Sequence, residues 1–285
     1  MSRMRRGWAL TKKSWTVLRE HRELIRFPLY GALATILMGV VVLGPGIYLI
    51  ADEKAAIGAP LAVIGFYLLA VIGIFFSVGL AAAADLIFHG EEASVGDGID
   101  VARSRFSQIA GWAAVSTVVG LLLSLLENQG GLAGAIFGRL LDIGWSLITF
   151  LAVPVIALEG AGPLQTLKRS ASLFKSRWGQ QVTGNIAIGG AVFLLGVLPS
   201  AALIVAGLAL WPSTSFGGAL LVVIGAIGVA IALLISQALS GIFGVALYRY
   251  ALDGEATGGF TPADMESAVR RRRGRGGAGP APTTV

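Results

Sequence analysis

Residues 178–248 contain no Asp, Glu, Lys or Arg. A soluble domain averages about 25% charged residues, whereas this chain of 285 residues holds 13%. So long an uncharged run needs surroundings that are themselves apolar. An α-helix rises about 1.5 Å per residue, so about 20 apolar residues cross the roughly 30 Å hydrocarbon layer of a bilayer. The fold class expected is all-α membrane.

Six stretches meet that length. They run from about Leu29 to Ile50, Pro60 to Ala84, Ile109 to Leu126, a start between Leu140 and Ile143 to Leu158, Ile186 to Leu210, and Gly217 to Leu247. Only 211–216 separates the last two, which predicts a tight hairpin. A polar segment precedes the first span, so that span is read as a signal anchor and not as a cleaved leader. The domain organisation expected is a six-span transmembrane domain over 1–268 and a disordered basic cytoplasmic tail over 269–285.

Orientation follows from the basic residues, which favour the cytoplasmic side. With six spans, every Lys and Arg except Lys54 and Arg139 falls on one face of the membrane. This places both termini in the cytoplasm and the protein in the cell membrane. Trp112 and Trp178 then sit at inner boundaries and Trp145 and Trp211 near outer ones, where indoles prefer to lie.

The linker from Pro163 to Trp178 has its own periodicity. Leu164, Leu167, Ala171, Phe174 and Trp178 recur at helical spacing, with Lys168, Arg169, Ser172, Lys175 and Ser176 opposite. A basic amphipathic helix beside a span is expected to lie in the interface plane. The N-terminal segment repeats this, with Trp8, Thr11, Trp15, Leu18 and Ile25 on one face. Lys12-Lys13-Ser14 and Lys168-Arg169-Ser170 are related by an offset of 156. A weaker third copy has Ile99, Ala102, Phe106, Ile109 and Ala113. The pattern predicts three repeats of interfacial helix plus transmembrane hairpin.

Chemistry-bearing residues are few. The absence of cysteine excludes disulfides, thiolate catalysis and cysteine-bound metal. His21 and His89 both lie in polar segments. Ionisable groups inside a membrane are functional candidates by default, and Asp85 is the best of them, though reaching the inner headgroups or pairing with an interfacial arginine accounts for it as well. Gln237, with Ser236 and Ser240, is the most polar cluster of the sixth stretch. Pro154 and Pro199 fall within spans and predict kinks or irregular backbone. Gly130, Gly134 and Gly138 read as a packing face or a re-entrant turn. Glu91, Glu92, Asp97 and Asp100 form an acidic cluster, read as a solvated loop or a partner for nearby basic helices. Arg270 to Arg273 with Arg275 are read as a topology determinant that meets the anionic inner leaflet. No nucleic-acid fold accompanies them. No cofactor, nucleotide or metal motif is present.

Three sets of residues carry a family resemblance. They are Gly7-Trp8 to Ser14-Trp15 and on to Phe27-Pro28; Leu158-Glu159-Gly160 with Pro163, Arg169-Ser170-Ala171 and Trp178-Gly179; and Leu247 to Ala251 followed by Gly259-Phe260. Together they resemble a family of bacterial and archaeal multi-span membrane proteins, domain of unknown function 6159. A looser similarity is to the membrane domain of glycerophosphodiester phosphodiesterases, whose catalytic domain has no counterpart here. The resemblance implies fold and location and no activity.

The function expected is that of a non-enzymatic membrane scaffold or accessory protein, with the lipid bilayer and protein partners of unknown identity but no nucleic acid. The alternative is a transporter or channel for an uncharged or lipid-like solute, with Pro154, Pro199 and Gln237 about its cavity. A membrane enzyme would have only Asp85, Glu159 and the Glu91-Glu92 pair to work with.

Overall fold

The structure, a computed structural model, describes residues 3–129, 131–178, 193–211, 214–254, 257 and 260. Every regular element among them is helical. In order they are α1 (Arg3–Glu20), a 3-10 turn (Arg22–Ile25), α2 (Arg26–Met38), a π turn (Gly39–Leu43), α3 (Gly44–Ala51), α4 (Ala55–Phe88), α5 (Val95–Ser104), α6 (Phe106–Gln129), α7 (Gly131–Ile148), α8 (Ala152–Pro154), a second π turn (Val155–Glu159), α9 (Pro163–Trp178), a third π turn (Phe193–Val197), α10 (Leu198–Leu210) and α11 (Ser215–Asp253).

Four helical segments are long and apolar enough to cross a membrane: Arg22–Ala51, Ala55–Phe88, Phe106–Glu127 and Phe216–Asp253. Most of their apolar side chains are not covered by protein. Leu195–Leu210 is apolar but shorter, and the start of the fifth expected stretch lies outside the described residues. So do the tail 269–285, with its arginine cluster, and Gly130 of the glycine ladder.

The fourth expected stretch is not one continuous helix. α7 ends at Ile148 and the chain turns before α8 begins at Ala152. Ser170, wholly buried on α9, reaches into this break. Its hydroxyl donates to the Ile148 carbonyl at 2.5 Å and accepts the Leu151 N–H at 3.2 Å. A buried backbone group without a partner is costly, so one hydroxyl makes the interruption tenable. Pro154, which has no N–H to give, stands just before the second π turn.

Proline also accounts for the other two π turns. Pro45 follows Gly39–Leu43 by two residues, and Pro199 follows Phe193–Val197 by two. A proline ring clashes with the carbonyl four residues back. One extra residue in the turn relieves that clash without ending the helix.

The hairpins pack through glycine. A Cβ on Gly46 would lie 2.7 Å from the Ala62 nitrogen, and one on Gly58 would lie 2.7 Å from the Gly46 oxygen. In the last hairpin, Gly207 and Gly218 each stand 2.7 Å from the other's carbonyl oxygen in the same sense, and Gly225 stands 2.6 Å from the Ser200 oxygen. With no side chain between them, the two backbones come into direct contact.

The core lies at one end of the long helices. Val78 to Ala84 of α4, Leu239 to Leu247 of α11, Val155 to Ala157, Phe27, Ile109 and Trp112 supply much of it. Trp112 stacks on Trp145 with ring centroids 6.0 Å apart. α5 closes against this end because Gly98 meets Gly79 and Phe27 without an intervening side chain. Ser94 and Asp97 cap α5 reciprocally: the Asp97 N–H donates to the Ser94 hydroxyl at 3.2 Å, and the Ser94 N–H donates to the Asp97 carboxylate at 2.8 Å. The opposite halves of the helices expose Leu37, Val40, Tyr48, Phe216 and Ile231.

The N-terminal stripe is differently placed. Ser14, Val17 and Leu18 form the buried face of α1, while Trp15 is exposed and the side chains of Trp8 and Thr11 lie outside the described residues. In the second loop, Ala102, Ile109 and Ala113 are buried and Phe106 is exposed, because α5 and α6 part at Arg105.

Candidate functional site

The strongest polar interactions among the described residues gather where α4 and α11 end. Asp85 sits on the last turns of α4, in a run of buried alanines that lets another helix come close. Arg249 reaches it from α11. Nε donates to Oδ1 and Nη2 to Oδ2, each at 2.6 Å. This is a fork-to-fork pair, the geometry in which guanidinium and carboxylate bind best. The Asp85 side chain is 12% exposed and that of Arg249 is 24% exposed. His89 lies one helical turn beyond. Its Nδ1 donates to the Asp85 main-chain oxygen at 2.8 Å and stands 3.8 Å from Oδ2.

Tyr248, the neighbour of Arg249, points elsewhere, since successive helical residues diverge by about 100°. It is fully buried and its hydroxyl donates to Glu159 Oε1 at 2.7 Å. Glu159 ends the second π turn, and Gly160 follows in the left-handed region with φ 64°. Arg169 of α9 donates Nε to both Glu159 oxygens, at 2.8 and 3.2 Å. The bond to Glu159 holds the Arg169 guanidinium above its usual range. Two adjacent residues of α11 therefore tie α4 on one side and the Glu159 turn with α9 on the other.

This arrangement fixes helices together. Both oxygens of Asp85 and of Glu159 are engaged by donors. Each of the two carboxylates thus serves as a tie between helices. No group of three His, Asp or Glu residues suited to a metal ion is present among the described residues.

The other candidates are scattered. Gln237 is exposed on α11, and by helix rise it lies about 18 Å along the axis from Arg249; Asp85 and Gln237 are not brought together. On α9, Leu164 is exposed, while Leu167 and Phe174 are half-buried and pack against the protein core. The side chain of Trp178 lies outside the described residues. The most buried face of α9 is Thr166, Ser170 and Leu173. Of the acidic cluster, Asp97 caps α5, Asp100 pairs with Arg103 at 3.2 Å, and Glu91 and Glu92 are exposed. Pro154 is buried and Pro199 is exposed.

Sequence reasoning reached both acids: for Asp85 it offered an interfacial arginine without saying which, and for Glu159 it named no partner. Arg249 counted toward topology and, with Tyr248, as part of a motif; neither was tied to a particular acid. The signal available was composition: in so apolar a chain, Asp85 needs a cation, and Arg249 is the basic residue that ends the long uncharged run.

Residues 57–259 match the family described as Family of unknown function (DUF6159), a span that includes Asp85, Glu159, Arg169, Tyr248 and Arg249. No curated protein and no solved structure matches, so the looser likeness to the membrane domain of glycerophosphodiester phosphodiesterases has no support. A helical chain with several apolar helices, matched over most of its length, belongs to this family of unknown function, DUF6159.

Proposed function

We propose that this is a six-span protein of the cell membrane, with both termini in the cytoplasm, that serves as a non-enzymatic scaffold or accessory protein. The observation that supports it best is the use of its carboxylates. Asp85 and Glu159, the two drawn into the helix packing, are spent on Arg249, Arg169 and Tyr248. Ion-coupled transport and hydrolysis both draw on unspent groups of this kind.

The hairpin contacts favour the repeat reading. Gly58, Ala62 and Gly65 of α4 face Ile50, Gly46 and Leu43; Gly218, Val222 and Gly225 of α11 face Trp211, Gly207 and Ile204. The long-helix residues differ by a constant 160 and the short-helix residues by a constant 161. A π turn precedes the proline in both short helices. Two hairpins built to one plan are consistent with six spans in three units.

Reporter fusions test the topology: a cytoplasmic reporter placed after Gly254 is active, and a reporter active only outside is silent there. Complementation of a deletion strain tests the absence of chemistry. A folded Glu159→Gln variant restores the lipid composition and partner set of the wild type. Loss of complementation with stability retained would point to chemistry at that carboxylate.

A further inference from the structure

Three arginines at the inner end of the helices have acidic partners. Arg103 pairs with Asp100, Arg169 with Glu159 and Arg249 with Asp85. Arg105, at the junction of α5 and α6, is different. Its guanidinium lies close against Gly160, where a Cβ would stand 2.5 Å from Cζ and 2.9 Å from Nε. The left-handed φ of Gly160 favours glycine there, and the missing side chain leaves room for the guanidinium. The arginine is half-buried there. Its Nε is sealed from solvent and has no acceptor among the described residues, and no carboxylate there pairs with it. Glu159, the acid next to Gly160, is already taken by Arg169 and Tyr248.

The surroundings indicate what completes it. Phe106, the next residue, is 53% exposed, and Leu164, on the first turn of α9, is 70% exposed. The two helices meet nearby, where Gly111 packs against the Pro163 ring. An unpaired, half-buried guanidinium on the same stretch of surface as exposed apolar side chains suits a molecule that is anionic at one end and apolar at the other. Phosphate oxygens match the guanidinium fork, and acyl chains match Phe106 and Leu164.

We propose that Arg105 is a phosphate-binding site and that the phosphate is the headgroup of an inner-leaflet phospholipid. This rests on the membrane reading above. It goes beyond a general attraction of basic segments to an anionic leaflet, because one residue carries it and its neighbour Arg103 does not.

The experiment reconstitutes the full chain into phosphatidylcholine vesicles with and without phosphatidylglycerol, then counts retained lipid by native mass spectrometry after detergent extraction. Insertion into the vesicles is scored first, so failure of the membrane reading is distinguished from failure of the site. The wild type retains phosphatidylglycerol. Arg105→Gln lowers that retention roughly tenfold, as expected for loss of charge-assisted hydrogen bonds, and Arg103→Gln leaves it unchanged. Arg105→Lys, which keeps the charge and loses the fork, lowers it severalfold and serves if the Gln variant does not fold. A parallel arm adds inorganic phosphate. Phosphate that binds the wild type and displaces the lipid, but does not bind Arg105→Gln, keeps the site and overturns its lipid source. Equal lipid retention by inserted Arg105→Gln and Arg103→Gln overturns the site.

Discussion

Arg249 holds both oxygens of Asp85, 164 positions away in sequence, with two hydrogen bonds of 2.6 Å. The pair joins the ends of α4 and α11 inside the most tightly packed part of the protein. Removing one member leaves the other charge half-buried and alone. Arg249→Gln is expected to destabilise the protein by about 3 kcal/mol, the lower part of the range for broken buried pairs. Asp85→Asn should cost somewhat less, because its amide still accepts one bond. The double variant should recover part of the loss. Thermal unfolding in one detergent, run as a double-mutant cycle, measures this; additive losses would show that the pair is not coupled.

Ser170 should behave unlike an ordinary surface serine of a basic helix. Ser170→Ala strands the Ile148 carbonyl and the Leu151 N–H at the break between α7 and α8. The expected cost is about 1–3 kcal/mol, against little change for exposed Ser172→Ala. Hydrogen exchange at the Leu151 amide should speed up in the Ser170 variant.

Glycines divide into two classes by what surrounds them. Gly58→Ala and Gly218→Ala place a methyl against backbone atoms at 2.7 Å and should each cost about 1–3 kcal/mol. Gly73→Ala and Gly120→Ala meet nothing within 4 Å and should be neutral or mildly stabilising. Equal melting temperatures across the four variants would contradict the hairpin packing described.

Asp97 carries a pH signature. The Ser94 N–H, then the Ser94 hydroxyl, hold its carboxyl below the ordinary carboxylate range. A lowered folded-state value means that capping strengthens α5 above the unfolded value of about 3.9. The contribution fades as pH falls through the lower folded value. A carboxyl-carbon NMR titration should therefore place the Asp97 midpoint below the ordinary aspartate value of about 3.9, and Ser94→Ala should move it back upward.

Apolar length was the most legible property of this chain, and it located the long helices α4 and α11 within a few residues of their ends. What was hidden had physical causes. The stripe from Leu164 to Trp178 was found by counting apolar side chains, yet Thr166 and Ser170 are wholly buried on α9. A hydroxyl that bonds to backbone is as much at home inside as a methyl, so hydropathy misses it. Asp85 stood out as an acid in an apolar span, but its partner could not be read, because the pairing is made by folding across more than half the chain. Gln237 looked like the polar centre of the last span and is exposed on its outside. Pro199 announced a kink or irregular backbone, without saying that the form would be a π turn.

That form has a consequence for how the chain tolerates change. A π turn fits one extra residue into a helix that continues on the same axis, so the segments before and after it are out of phase by about 100°. Deleting any one residue from 39–43 would leave composition and hydropathy almost untouched. It would also turn α3 by that angle and carry Gly46 away from Ala62, its backbone neighbour across the hairpin. In the first hairpin, residue count within a single turn is therefore as much a determinant of which surfaces meet as the chemistry of the residues that meet there.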